Sequence, residues 1–321
     1  SETVHLTINL KLNLMKTAIL LLSNTCLRKV SHLMLAMLLI SGAAVAQEDS
    51  TVVQEVQPKT DKPVKNTFES IWLIDNQSVM VPIKGTFEMD IMHRFGTVNK
   101  GYDDFYGLFA PSNIRLGFNY TPVNKAMVGI SLTKQNMAWE GYFKYAILKQ
   151  TQSNRIPVSV TYFGDIAYDS RDRENFIYNS DRFSFFNQLI IARKITDAFS
   201  VQVAPNHTHV NSVYGYFAAP GEVKGEMKHD HFAVAVSGRL KVTESLALLG
   251  NYDQPLTQHP TNNPNPNVSF GIEASTSAHA FQLFAGNFSS ITPQRNNYYN
   301  RNDFTERQFL IGFNITRMWN W

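Results

Sequence analysis

Two pairs of histidines carry the most specific chemical signal in the sequence. His207-Thr208-His209 and His229-Asp230-His231 bracket one long polar segment. A His-x-His pair on a strand puts both imidazoles on one face, and imidazole suits zinc or copper. Four such rings at the base of a loop would make a metal site. Strand parity argues against that gathering. His207 and His209 continue the face of Val201 and Val203, whereas His229 and His231 share parity with Ala233 and Ala235. The pairs therefore point to opposite sides unless Pro205 introduces a bulge. Histidines at a loop base near a membrane surface are the plainer reading, and no cofactor is expected. His279 would need a nearby serine and an orienting group to act as a base. The sequence holds no Gly-x-Ser-x-Gly elbow and no glycine-rich phosphate loop, so the expectation is not an enzyme.

A second set of chemistry-bearing residues is charged. Glu88, Asp90, Arg94, Arg115, Glu140 and Lys144, with Glu273, lie at alternate positions of otherwise apolar segments. Both signs occur in similar numbers, which implies no strong ion selectivity. Such residues form either a bracing network or the lining of a path. Glu88, Asp90 and Arg94 share one segment with Arg115 on the next, so pairing across neighbouring strands is expected, with Glu140 or Asp165 as further anions.

The segments that position these charges follow one rule. From Lys84 onward, stretches of roughly 9–12 residues alternate apolar with polar or small side chains, the period of a strand with one apolar face. Phe87, Met89, Ile91 and Phe95 alternate with Thr86, Glu88, Asp90 and Arg94; Ile114, Leu116, Phe118 and Tyr120 alternate with Arg115, Gly117 and Asn119. About twelve such strands follow one another, with residues 183–194 ambiguous in face. Most connections alternate short and long. Thr121–Lys125, Gln150–Arg155, Thr196–Ala198, Thr243–Ser245 and Ser277–Ala278 are short; Thr97–Ala110, Asp169–Asp181, Asn211–Lys228, Pro255–Asn267 and Ser289–Asp303 are long. The short link near Gln135 departs from this order. The fold class expected is all-β: an antiparallel transmembrane β-barrel of about 12 strands, with short periplasmic turns and longer extracellular loops. A soluble sandwich has no reason to sort its loops in this way. On the barrel reading Phe118 and Ile130 face lipid, and arginine should be tolerated better at inward Gly129 or Ser131. Phe95, Tyr120, Trp139, Tyr252, Trp319 and Trp321 suit interfacial girdles.

Composition agrees. Aromatics make up 12% of the 321 residues and charged residues only 17%, against about 25% in soluble proteins. The N-terminus supplies the compartment. Basic Lys16, Arg28 and Lys29 precede an apolar run from Leu33 to Ile40, and Ala44-Val45-Ala46 fits a signal-peptidase site. Residues 1–46 are expected to be a signal peptide with upstream residues, 47–83 a periplasmic lead-in or short plug, and 84–321 the barrel. The mature chain would begin near Gln47; an uncleaved anchor is the alternative. Removing residues 1–46 takes away four of the 29 basic and one of the 26 acidic residues, so the remainder is neutral. No nucleic-acid partner is implied. Cys26, the single cysteine, leaves with the same segment, which excludes a disulfide framework and thiolate chemistry.

Several short stretches carry a resemblance: His93-Arg94-Phe95-Gly96, Lys144-Tyr145 with Gln150-Thr151, Gly238-Arg239-Leu240-Lys241, His279-Ala280-Phe281-Gln282-Leu283, and Gly312-Phe313-Asn314-Ile315-Thr316-Arg317. In this order the chain resembles a Bacteroides-type outer-membrane β-barrel family of unknown function. Trp321 is similar to the C-terminal aromatic that barrels present to their assembly machinery. The resemblance implies fold, outer-membrane location and contact with lipid and assembly machinery, and no activity. The leading functional expectation is a channel or transporter for small solutes; the alternatives are a closed structural or partner-binding barrel and a lipid-directed barrel enzyme. A lumen filled by side chains, or plugged by residues 47–83, would favour the closed barrel.

Overall fold

The computed structural model describes residues 61–320. The expected signal peptide, its expected cleavage site and Trp321 lie outside the described residues.

Twelve strands close into one antiparallel barrel. In chain order, β1 (Trp72–Leu73) and β2 (Asn76–Gln77) form a small hairpin of their own. The wall begins with β3 (Thr86–Thr97), β4 (Asn113–Val123), β5 (Ala126–Thr133), β6 (Ala138–Leu148), β7 (Ser159–Tyr168), β8 (Phe183–Lys194) and β9 (Phe199–Val210). An outer-loop hairpin of β10 (Gly215–Ala219) and β11 (Glu222–Gly225) follows. The wall is completed by β12 (Asp230–Lys241), β13 (Leu246–Pro255), β14 (Asn267–Ser275), β15 (His279–Gly286) and β16 (Leu310–Asn320), and a short helix α1 (Pro293–Tyr299) lies in the β15–β16 connection. β16 pairs with β3 and β9 with β12, so no wall strand has a free edge. Closure of this kind satisfies the backbone of a chain surrounded by lipid.

Every strand predicted from alternation is a wall strand. The two faces differ sharply: Ile130 is 51% exposed and its neighbour Ser131 1%. Phe118 and Ile130 pair across β4 and β5 on the outer face. Arginine at Ile130 should cost about 2–4 kcal/mol, the mid-membrane value, read as a fall in folding free energy in lipid vesicles. The inner face is no more permissive, which corrects the expectation for Gly129 and Ser131. A Cβ on Gly129 would lie 2.1 Å from the Tyr142 ring and 2.6 Å from Asn119 Oδ1. Ser131 is buried and donates to Glu140 Oε2 at 2.7 Å. Even alanine at Gly129 should destabilise by about 1–3 kcal/mol through overpacking.

The inner face is crowded because residues 67–81 run inside the barrel. Phe68, Ile71, Trp72, Leu73 and Ile74 are at most 2% exposed. They pack on wall residues Met92, Met127, Phe163, Phe186, Ile190, Leu249 and Phe284. This explains the ambiguity of residues 183–194: Phe186, Ile190 and Ala192 point inward against the plug, while Phe185, Leu189 and Ile191 point outward.

Candidate functional site

The plug enters and leaves by the same end of the barrel. At its start, Val64 N donates to Gln150 O at 2.8 Å and Gln152 N to Lys62 O at 2.9 Å, tying it to the β6–β7 turn. At its end, Gly85 N donates to Thr121 O at 2.8 Å, beside the β4–β5 turn. Both turns belong to the short, periplasmic set. Between them the chain forms a finger whose tip is the β1–β2 turn at Ile74-Asp75. Ile74 has φ +58°, a left-handed conformation that a β-branched residue rarely adopts. The wall holds it there. Asn314 Nδ2 donates to Ile74 O at 2.6 Å, and Ile74 N donates to Gln282 Oε1 at 3.1 Å. Gln282 Nε2 donates to Trp72 O at 2.8 Å, Gln202 Nε2 to Gln77 O at 2.8 Å, and Thr161 Oγ1 to Val79 O at 2.8 Å. Asn251 Nδ2 donates to Leu73 O and to Asp75 Oδ1.

The charged residues surround this finger. Arg115 sits opposite Met92, one level below Arg94 and Asn113 in the register of β3 and β4. Its Nη1 is 2.6 Å from Asp90 Oδ1 and its Nε 2.9 Å from Glu140 Oε2, with all three side chains fully buried. Its guanidinium also lies 5.0 Å from the centre of the Trp72 ring and 5.3 Å from that of Tyr142. Such stacking suits the weakly hydrated guanidinium. Arg94 makes no ion pair among the described residues. It donates to Asn314 Oδ1 at 2.9 Å and stacks over Phe284 at 4.5 Å. Lys144 Nζ donates to Gln77 Oε1 of the plug at 3.0 Å. Glu88 receives Asn119 Nδ2 at 3.5 Å. On the far wall Arg239 Nε contacts Glu273 Oε1 at 2.8 Å.

The two signs are not balanced. Asp75, Asp165 and Asp253 join Glu88, Asp90, Glu140 and Glu273, making seven buried carboxyl groups around the lumen. Arg94, Arg115, Lys144 and Arg239 are the four lumen cations among the described residues. Alternation already places Asp165 with Phe163 and Asp253 with Asn251, so both were within reach of the sequence. Asp75 was not, because the plug has no period of its own. Burial pushes the Asp75 carboxyl above its usual range, against the hydrogen bonds from Asn251 and Asn296 and the field of Arg94.

At the outer end, α1 folds into the mouth as a lid. Pro293, Gln294, Asn296, Asn297 and Tyr298 are buried. Gln294 Nε2 donates to Asp165, and Asn296 Nδ2 donates to Asp75 Oδ2 of the plug tip at 2.9 Å. Plug and lid therefore touch. Above them a cavity of about 110 Å³ opens between the outer loops, with Arg171, Arg182 and Arg295 in its wall.

The structure does not bring the four histidines together. The β9–β12 register runs unbroken through Pro205, which pairs with Val234. His207 Nε2 and His209 Nδ1 both contact Asp230 Oδ1, at 2.9 and 2.8 Å, on the outer face. His231 is buried on the inner face and meets His259, 2.9 Å between ring nitrogens. Lys228 N donates to His259 Nδ1, so His259 Nε2 carries the proton given to His231 Nδ1. Burial, with Lys228 and Arg301 nearby, lowers the pKa of His259 and keeps this ring neutral. His259, in the β13–β14 loop, was invisible to a search for His-x-His pairs. Among the described residues no group of three or more His, Cys, Asp or Glu is placed to hold a metal. His279 stacks on Phe281 near a periplasmic turn, with ring centres 6.0 Å apart.

A closed barrel with an apolar outer band, short turns at one end and long loops at the other is an outer-membrane β-barrel, here with its lumen occupied by its own chain. Residues 68–319 match the family model described as "Membrane bound beta barrel domain", and the chain belongs to that family. No curated protein matches the sequence. Solved structures with a similar fold include the NanC porin, 9% identical with a TM-score of 0.45 over 73% of this chain and 99% of that one. The KdgM porin is 9% identical, with a TM-score of 0.42 over 72% and 98%. An outer membrane channel from Pseudomonas putida F1 is 10% identical, with a TM-score of 0.43 over 75% and 97%.

Proposed function

We propose that the protein is a gated conduit for small polar solutes, shut in the conformation described, and not an enzyme. The observation that carries this reading is the path of the plug. A finger whose two ends leave through one mouth can be withdrawn without opening the wall. Its tip is held in a strained turn mainly by side-chain amides, bonds that water can replace one by one. Once withdrawn, Ile74 would relax to an ordinary backbone conformation, which offsets part of the cost of leaving.

The test is the double variant Gln282→Ala/Asn314→Ala, which removes three hydrogen bonds to Trp72 and Ile74. At about 1 kcal/mol each, their loss should raise the withdrawn population on the order of 10²-fold. In planar bilayers, current bursts should become correspondingly more frequent, with unchanged step size. The competing reading is a closed barrel whose plug is simply its core; the plugged lumen itself and the apolar packing of Phe68 and Trp72 favour it. On that reading the variant melts earlier and carries no current.

A further inference from the structure

Where plug tip, wall and lid meet, the buried groups are unevenly satisfied. A small cavity of about 10 Å³, the size of one water or one ion, has in its lining Asp75 and Gln77 of the plug, Gln188 of β8, Asp253 of β13 and Asn296 of the lid. Each of these side chains is at least nine-tenths buried. Among the described residues Asp253 Oδ2, Gln188 Oε1 and Asn296 Oδ1 have no hydrogen-bond partner, against one unpartnered donor of this lining, Gln77 Nε2. Among the described residues no basic side chain lines the cavity. Among the described residues neither Asp75 nor Asp253 makes an ion pair; Arg94 acts on Asp75 only through space. Two buried carboxyl groups beside unpaired carbonyl oxygens are costly unless something positive lies between them.

We propose that this pocket binds one calcium ion, which ties the plug tip to the wall and the lid. The donors are carboxylate and amide oxygens, the set that hard cations take, and two carboxylates match a divalent charge. Magnesium demands near-ideal octahedral geometry and usually keeps several waters, for which a one-water cavity has no space. Calcium accepts irregular oxygen ligands. The histidines of the outer end play no part. The proposal does not depend on whether the plug moves.

The experiment uses the full barrel refolded in detergent free of lipopolysaccharide, which binds divalent cations itself. After EDTA treatment and exchange into calcium chloride, elemental analysis should find one calcium per chain. The melting temperature, followed by the heat-dependent shift on gels, should rise with calcium and much less with magnesium. Asp253→Asn should weaken calcium binding at least tenfold. Gln188→Leu, which removes only a neutral oxygen, should weaken it less, and Asp172→Asn on an outer loop should leave it unchanged. If Asp253→Asn fails to fold, the Gln188→Leu titration carries the test. Absence of bound calcium at millimolar concentration, or binding indifferent to the pocket variants, overturns the proposal. So does a wild-type barrel indifferent to calcium that Asp253→Asn stabilises, the behaviour of carboxyl groups sharing a proton.

Discussion

Replacing Arg115 by methionine should destabilise the barrel by about 3–5 kcal/mol, the cost of leaving buried charges without their partner. Arg115 stands between Asp90 and Glu140, at 2.6 and 2.9 Å, and none of the three side chains reaches solvent. Asn119 donates to Asp90 Oδ2 at 2.8 Å, and Thr133 to Glu140 Oε2 at 3.1 Å, so neither carboxylate can turn towards another cation without losing these bonds. Unfolding midpoints in urea, measured in lipid vesicles, read the effect. The triple variant Arg115→Met/Asp90→Asn/Glu140→Gln should recover most of the loss, because it removes the orphaned charges as well as the pair. If the single variant costs less than about 1 kcal/mol, water reaches these side chains and the lumen is not sealed by the plug. A surface pair makes the contrast. Arg155 and Asp61 lie 2.9 Å apart, but both side chains are more than half exposed. Arg155→Met should change stability by no more than about 1 kcal/mol.

What the sequence made legible follows from where each segment meets its solvent. Lipid imposes an apolar residue at every second wall position, so β3, β4 and β6 could be read from alternation alone. The lumen imposes no such rule here, because its solvent is another piece of the same chain. At β8 the inner residues Phe186 and Ile190 are as apolar as the outer Leu189 and Ile191, and the period disappears. The plug residues Ile71 to Ile74 are enclosed on all sides, so they show an apolar run without a face. Strand order and parity were enough to expect Arg115 to pair with a carboxylate of the neighbouring strand, with Glu140 as a further anion. Nothing local could place Asp75 beside Asn251, 176 residues away in the chain, since that contact exists only once the barrel has closed around the plug. The lid escaped for a related reason. Pro293–Tyr299 sits in a long loop, and its buried Gln294, Asn296 and Asn297 look like ordinary loop residues until the acids and amides below them are seen.

The sharpest expected change in behaviour comes from deleting residues 67–81 and joining the ends with a short glycine-serine linker. The full chain should carry no steady current in a planar bilayer, since the plug fills the lumen from the periplasmic mouth to the lid. The deletion removes Phe68, Trp72 and Ile74 from the lumen and frees the bonds that Gln202, Gln282 and Asn314 spend on the plug backbone. These amides, with Lys144 and Arg94, would then be hydrated, so the wall groups keep hydrogen-bond partners and the closed strand ladder remains. The lid loses Asp75, the acceptor of Asn296, but keeps the Gln294 bond to Asp165, so openings should flicker instead of standing open. Without Asp75 the wall carries six lumen carboxyl groups against four cations, and the current should favour potassium over chloride in a salt gradient. Heat-dependent gel migration establishes that the shortened barrel is folded before its current is read. A folded, plugless barrel with no current would mean that lid and wall side chains close the lumen by themselves, and the conduit reading would give way to that of a solid barrel.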